Sequence, residues 1–159
     1  MPVVTLDQAR AHLRLEADYP ADQVEPYIAG AVDAAAQYLN RAIFDDWSSL
    51  DAALAALPAA RGTARSAYKT AADAAALLED PADRADALSV AQARLDFVTA
   101  ETGRVLNGIV VNPSIVTAVL LTLGHLFSNR EDVVVGVTAT DVPNGARSLL
   151  RGDRRVMMP

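Results

Sequence analysis

The chain has 159 residues, 14 basic and 20 acidic, for a formal net charge of −6, and it contains no cysteine. That length holds one compact domain, or one domain carrying a sizeable insertion, but not two full cores; the lack of cysteine excludes disulfides, Cys-ligated zinc, iron–sulfur clusters and thiol nucleophiles. The acidic balance repels phosphate, the opposite of what a DNA-gripping module carries.

Hydrophobic residues make up 52% of the chain but aromatics only 5%, so the expected elements are helices packed at close range through Ala, Val and Leu. No basic stretch followed by an apolar core occupies residues 1–7, and no signal peptide is expected there. Thr5 and Gln8 stand at capping-box spacing and open a first helix that should run to about Leu15, with Leu6, Ala9 and Leu13 on its apolar side and Asp7, Arg10 and Arg14 in water. After the turn at Asp18-Tyr19-Pro20, the spacing of Val24, Ile28, Ala31, Ala35, Leu39 and Ala42 predicts a second helix, with Pro26 in its first turn.

Residues 45–103 are alanine-rich and read as an insertion. Ala64, Ala67, Ala71, Ala74 and Leu78 give one helical stripe. Asp80-Pro81 supplies the N-cap and first position of the next helix, and Leu88, Ala91, Leu95, Val98 and Thr102 follow with the three-four alternation of a narrow seam. The predicted product is a helical hairpin, marginal on its own because small residues bury little area. Asn107-Gly108 marks a turn, residues 109–111 a strand or extended lead-in, and Asn112-Pro113 the start of a helix to about Asn129 that is apolar on nearly every side, which predicts burial on all faces. Residues 105–129 carry no Asp, Glu, Lys or Arg, yet the interruptions at Asn107-Gly108 and Asn112-Pro113 and the polar Thr117, Thr122, His125 and Ser128 point to a buried helix rather than a membrane span. Residues 133–140 are β-prone around Gly136 and read as a mobile loop or short edge strand. A short helix is then expected after Asp141-Val142-Pro143. The fold class is therefore all-α: a small helical bundle of residues 1–44 and 104–140, an inserted hairpin at 45–103, and a C-terminal docking tail at 141–159.

Motifs with chemistry are few. His12 and His125 are the only histidines, without carboxylates at ligand spacing, so no metal is expected. His125 and Ser128 stand three apart on a helix, but no nucleophile elbow or oxyanion site accompanies them, and a packed histidine at a helix end accounts for the residue. Asp45-Asp46 and Glu79-Asp80 fall at helix boundaries, where capping explains them. The glycines form no phosphate-binding fingerprint. No cofactor and no catalytic residue are expected. The C-terminal end differs: Arg147, Arg151, Arg154 and Arg155 flank Leu149 and Leu150, and a short amphipathic segment unable to bury its apolar side alone gains most by packing on another chain.

Two blocks carry a family resemblance. One is TLDQARAHLRL at residues 5–15, followed by Tyr27-Ile28, Ala31 and Asn40-Arg41; the other is AVLLTLGHLFSNRE at 118–131, then a Val- and Gly-containing loop, then VPNGARSLL at 142–150. In residues and order they resemble the head–tail connector (adaptor) proteins of long-tailed bacteriophages, over about half the chain. Leu126-Phe127 stand where that family commonly has two aromatics, and the stretch 45–103 exceeds its short connection. The resemblance implies a virion protein, assembled in the host cytoplasm without a membrane, that forms a ring of twelve identical subunits between portal and tail. The ring would extend the DNA channel, let genome DNA pass without specific binding, and offer a platform to the next tail or stopper protein. On this reading Pro143, Gly145, Arg147, Leu149, Leu150 and Arg151 dock on the portal protein, and Leu120, Leu123, Phe127 and Arg130 pack subunit against subunit. The alternative is a small helical DNA-packaging or regulatory protein that binds nucleic acid through its basic tail; a third reading, a hydrolase using His125, rests on that histidine alone.

Overall fold

The computed structural model describes residues 2–129 and 145–155. Among them the chain is all-α apart from one pair of two-residue strands. Its elements are α1 (Leu6–Leu13), α2 (Glu25–Leu39), β1 (Ile43–Phe44), α3 (Trp47–Ala75), α4 (Pro81–Leu106), β2 (Ile109–Val110), α5 (Pro113–Ser128) and α6 (Gly145–Leu150), with a 3-10 turn at Ala21–Gln23. The chain divides into two compact units, Met1–Asp46 with Ile109–Pro159, and Trp47–Gly108. Arg130, Pro143 and the loop or edge strand expected at 133–140 lie outside the described residues.

In the first unit, α1 opens on the expected capping box: Thr5 Oγ1 accepts from the Gln8 N–H at 3.2 Å and Gln8 Oε1 accepts from the Thr5 N–H at 2.9 Å. The helix stops at Leu13, short of Leu15, because Arg14 turns left-handed at φ 58° and the Leu15 N–H closes back on the Arg10 carbonyl at 2.9 Å. Arg10, expected in water, is instead half-buried, and its Nη2 donates to the Tyr19 carbonyl. A long side chain reaching back over the turn at 18–20 caps a carbonyl that water would otherwise serve.

α2 also ends before its predicted limit of Ala42. Asn40 adopts φ 53°, a left-handed stop that asparagine tolerates better than most residues. Ala42 and its neighbours are thereby released into an extended path that the hydrophobic spacing did not reveal. The Ile109 N–H donates to the Ala42 carbonyl at 2.9 Å and the Val111 N–H to that of Phe44 at 2.8 Å, so β1 and β2 pair in parallel with Ile43 opposite Ile109 and Phe44 opposite Val110. Parallel partners cannot be joined by a tight turn and need a long crossover connection. Here that crossover is the whole second unit.

The core of the first unit is aliphatic: Val4, Ala9, Val24, Ala31, Ala35 and Leu39 meet Ile115, Ala118, Val119 and Leu123 of α5, and Leu150 of α6 closes it. Aromatic rings add one clamp. Phe127 stands edge-on to Tyr27 at 5.4 Å between centroids and to Tyr19 at 6.3 Å, a geometry favoured by ring quadrupoles. The sequence predicts burial of α5 on all faces, and this is corrected: Thr117, Leu121, His125 and Ser128, at helical spacing, form an exposed stripe in this chain.

The second unit is the expected hairpin of α3 and α4, in a different register. Leu50, Leu54, Leu57, Arg61, Ala64, Tyr68, Ala71 and Ala75 recur in strict four-three alternation and none is exposed, whereas Ala67, Ala74 and Leu78 of the predicted stripe face outward. On α4, Ala91, Leu95, Val98 and Thr102 lie inward as predicted, while Leu88 is 36% exposed. Pro58 sits inside α3 on its exposed side. Having no N–H, it leaves the Leu54 carbonyl without its i→i+4 donor. Within the seam the Arg61 Nε donates to Thr102 Oγ1 at 3.0 Å, and that hydroxyl donates to the Val98 carbonyl at 2.7 Å. One polar pair in a seam of small residues fixes register at some cost in stability.

Candidate functional site

Within the first unit the C-terminal helix α6 is held to the core by its own side chains and by the chain that follows it. Ala146 packs on the core and Leu150 is 3% exposed within it. A methyl group added at Gly145 would meet Leu121 Cδ1 at 3.7 Å, so α6 begins directly beside the exposed stripe of α5. Beyond the helix, Asp153 ties the chain end down: its carbonyl accepts from Arg41 Nη1 at 3.2 Å and its carboxylate from Asn112 Nδ2 at 2.9 Å. The Asn112 side chain works twice, since its Oδ1 also accepts the Ile115 N–H at 2.9 Å and caps α5. The Arg155 N–H then reaches the Leu39 carbonyl at 2.9 Å, and Arg154 lies over the Tyr38 ring at 4.9 Å, a cation–π contact at the end of α2.

What remains outward on this surface is a patch of distinct chemistry. Leu121 and Leu149 are 43% and 38% exposed. Gly145 and Leu149 are four apart and so stack on one face of α6, next to Leu121. Arg147 and Arg151 are exposed and also four apart. Each arginine is two residues from Leu149 and so stands about 160° round the helix from it. α6 thus presents a small apolar surface on one flank of its exposed side and two guanidinium groups on the other, on a chain of net charge −6, suited to a partner that supplies an apolar contact and carboxylates.

The predicted docking residues therefore separate. Gly145, Arg147, Leu149 and Arg151 are exposed and close together in the chain, whereas Leu150 points into the core of its own unit. Of the residues predicted to pack between subunits, Leu123 is 0% exposed among its own neighbours, Leu120 is partly buried against the same core, and Phe127 is held by Tyr19 and Tyr27. Leu121 and Asp153 were not singled out by the sequence. Leu121 had a legible signal: it shares the 117, 121, 125, 128 spacing with three polar residues, which marks the outward side of an otherwise apolar helix. Asp153 had none, because its partners lie more than forty residues away at Arg41 and Asn112.

The two histidines are apart in role. His12 packs against α5 where a Cβ on Gly124 would lie 3.3 Å from its Nε2. His125 is exposed at the end of α5, with its Nδ1 3.1 Å from Asn129 Nδ2; the amide donates into the ring when the imidazole proton sits on Nε2. The near ring nitrogen is thus engaged by Asn129 rather than by Ser128. Among the described residues no three His, Asp or Glu side chains converge on a possible metal site, and no helix is long and apolar enough to cross a membrane. No protein-family model matches the chain, and the searches of curated proteins and of solved structures return no significant match.

Proposed function

We propose that the chain is a structural, non-enzymatic subunit of a phage head–tail connector, which joins a ring of its own copies to a portal protein through the surface built from α6 and the outer stripe of α5. The observation that carries this reading is the exposed Leu121–Gly145–Leu149 surface, with Arg147 and Arg151 exposed on the other flank of α6. An apolar patch together with exposed arginines on the same short helix suits an anchoring contact, and the remaining acidity suits a channel through which DNA slides without sticking. The virion location, the portal and the next tail or stopper protein belong to this proposal, as does the ring of twelve.

Because Leu150 and Asp153 hold the C-terminal segment to the core, its deletion would disturb folding as well as docking. Point changes on the exposed side separate the two. Leu149→Asp and the pair Arg147→Glu/Arg151→Glu should abolish binding to a portal protein from the same genome in a pull-down, with helical content by circular dichroism unchanged. Undiminished binding by both variants sinks the docking surface. The alternative, nucleic-acid binding by Arg147, Arg151, Arg154 and Arg155, predicts DNA affinity that falls steeply with salt; the connector reading predicts little affinity at moderate salt.

A further inference from the structure

We propose that the outer face of α4 is a self-association surface, on which a second copy of this chain packs its own α4 antiparallel. The inward side of α4 is committed to α3 through Ala91, Leu95, Val98 and Thr102. On the opposite side Asp83, Asp86, Val90, Ala93, Phe97, Ala100 and Arg104 recur with the three-four alternation of a two-helix seam, and all except half-buried Arg104 are exposed. Val90 is 52% and Phe97 68% exposed, high for large apolar side chains on one stripe. A shallow hollow lies between them, lined also by Ala93, Arg94 and Val98, the last reaching it from the border of the inward seam.

The occupant follows from the order of charges along this stripe: acids at its N-terminal end, an apolar middle, and arginine at its C-terminal end. Such a stripe complements its own reverse. In an antiparallel pair Val90 faces Ala100 of the second copy, Phe97 faces Ala93, and Asp86 faces Arg104, each twice by symmetry. Every layer sets a large residue on a small one or an acid on a base. Side chains lean towards the N-terminus of their own helix, so Arg94 and the second copy's Glu101 lean towards each other on one flank. A parallel pair would set Asp86 on Asp86 and Arg104 on Arg104, so charge selects the antiparallel arrangement. Two features oppose the contact. Arg104 already stands 3.3 Å from Glu101 of its own helix, and Asp96, which accepts from Gln92 at 2.8 Å, approaches its own symmetry copy on the other flank.

The seam from Asp86 to Arg104 is about 27 Å long at ~1.5 Å per residue. A single helix pair with so few apolar layers stays below the roughly 1,200 Å² of buried surface typical of stable interfaces, so the dimer is weak and reversible. A two-fold contact closes at two copies and builds no ring; the inference is independent of the connector reading.

Sedimentation velocity of the full chain over a concentration series tests it. The wild-type chain should pass from monomer to dimer as concentration rises, and Asp86→Arg or Arg104→Asp should each weaken association at least tenfold, since each places like charges at both ends of the seam. Mixing the two variants should restore association. One then carries arginine at both ends of its stripe and the other aspartate at both ends, so each end of the mixed pair sets an acid on a base, a recovery that misfolded variants would not give. A wild-type chain that stays monomeric to millimolar concentration, single variants that dimerise as the wild type does, or a mixture that fails to recover each overturns the proposal.

Discussion

The two units solve the burial problem differently. The first closes Val4, Val24, Leu39, Ile115, Val119 and Leu123 to within 1% of full burial, using three helices, a strand pair and the returning C-terminal segment. The second has two helices and a seam whose best-buried large residues, Leu50 and Leu57, keep 6% and 8% of their surface, and the same seam holds the polar pair Arg61 and Thr102. A pair of helices has only one contact face each, and alanine fills it without supplying much area. Stability is therefore expected to concentrate in the first unit, while the second leaves large apolar residues such as Phe97 outward.

Core truncations sharpen that contrast. Leu123→Ala should cost about 2–5 kcal/mol, towards the upper end because the site is enclosed on every side, read as a shift of the urea midpoint. Leu57→Ala in the hairpin should cost less, about 2 kcal/mol, since neighbouring small residues and solvent can close the gap. Equal costs would break the comparison. Smaller again, Thr102→Val keeps the shape but removes the acceptor for the Arg61 Nε; a loss of about 1 kcal/mol is expected, confined to the hairpin in hydrogen exchange. Gly124→Ala should be nearly neutral: helix propensity gains about 1 kcal/mol, while the new methyl group presses on the His12 imidazole at 3.3 Å, the far end of a side chain that is exposed and free to move aside.

Local signals carried much of the fold into the sequence. The Thr5–Gln8 box, Asp80-Pro81 and Asn112-Pro113 each start a helix where their chemistry requires one, because capping is settled within a few residues. Features decided by distant partners were not legible. The parallel strand pair needed Ala42 and Ile109 to meet across the whole hairpin, and Asn40 stopped α2 by a backbone turn that apolar spacing continues straight through. In the alanine-rich α3 the periodicity was ambiguous, since alanine stands on both sides of the helix; Leu50, Leu57 and Tyr68, the larger residues, mark the true seam. At the candidate docking surface, the exposed arginines and Leu149 were visible as a tail motif. The outward side of Leu121 was legible in its spacing with Thr117, His125 and Ser128, whereas the inward turn of Leu150 emerges only once α5 and α6 are packed together.

Electron microscopy of the purified chain mixed with a portal protein from the same genome tests the connector reading most directly. Rings of this protein stacked coaxially on the portal are expected with wild-type chain, and bare portals when Leu149→Asp is used. Bare portals with the wild-type chain, or equally decorated portals with both, would contradict it.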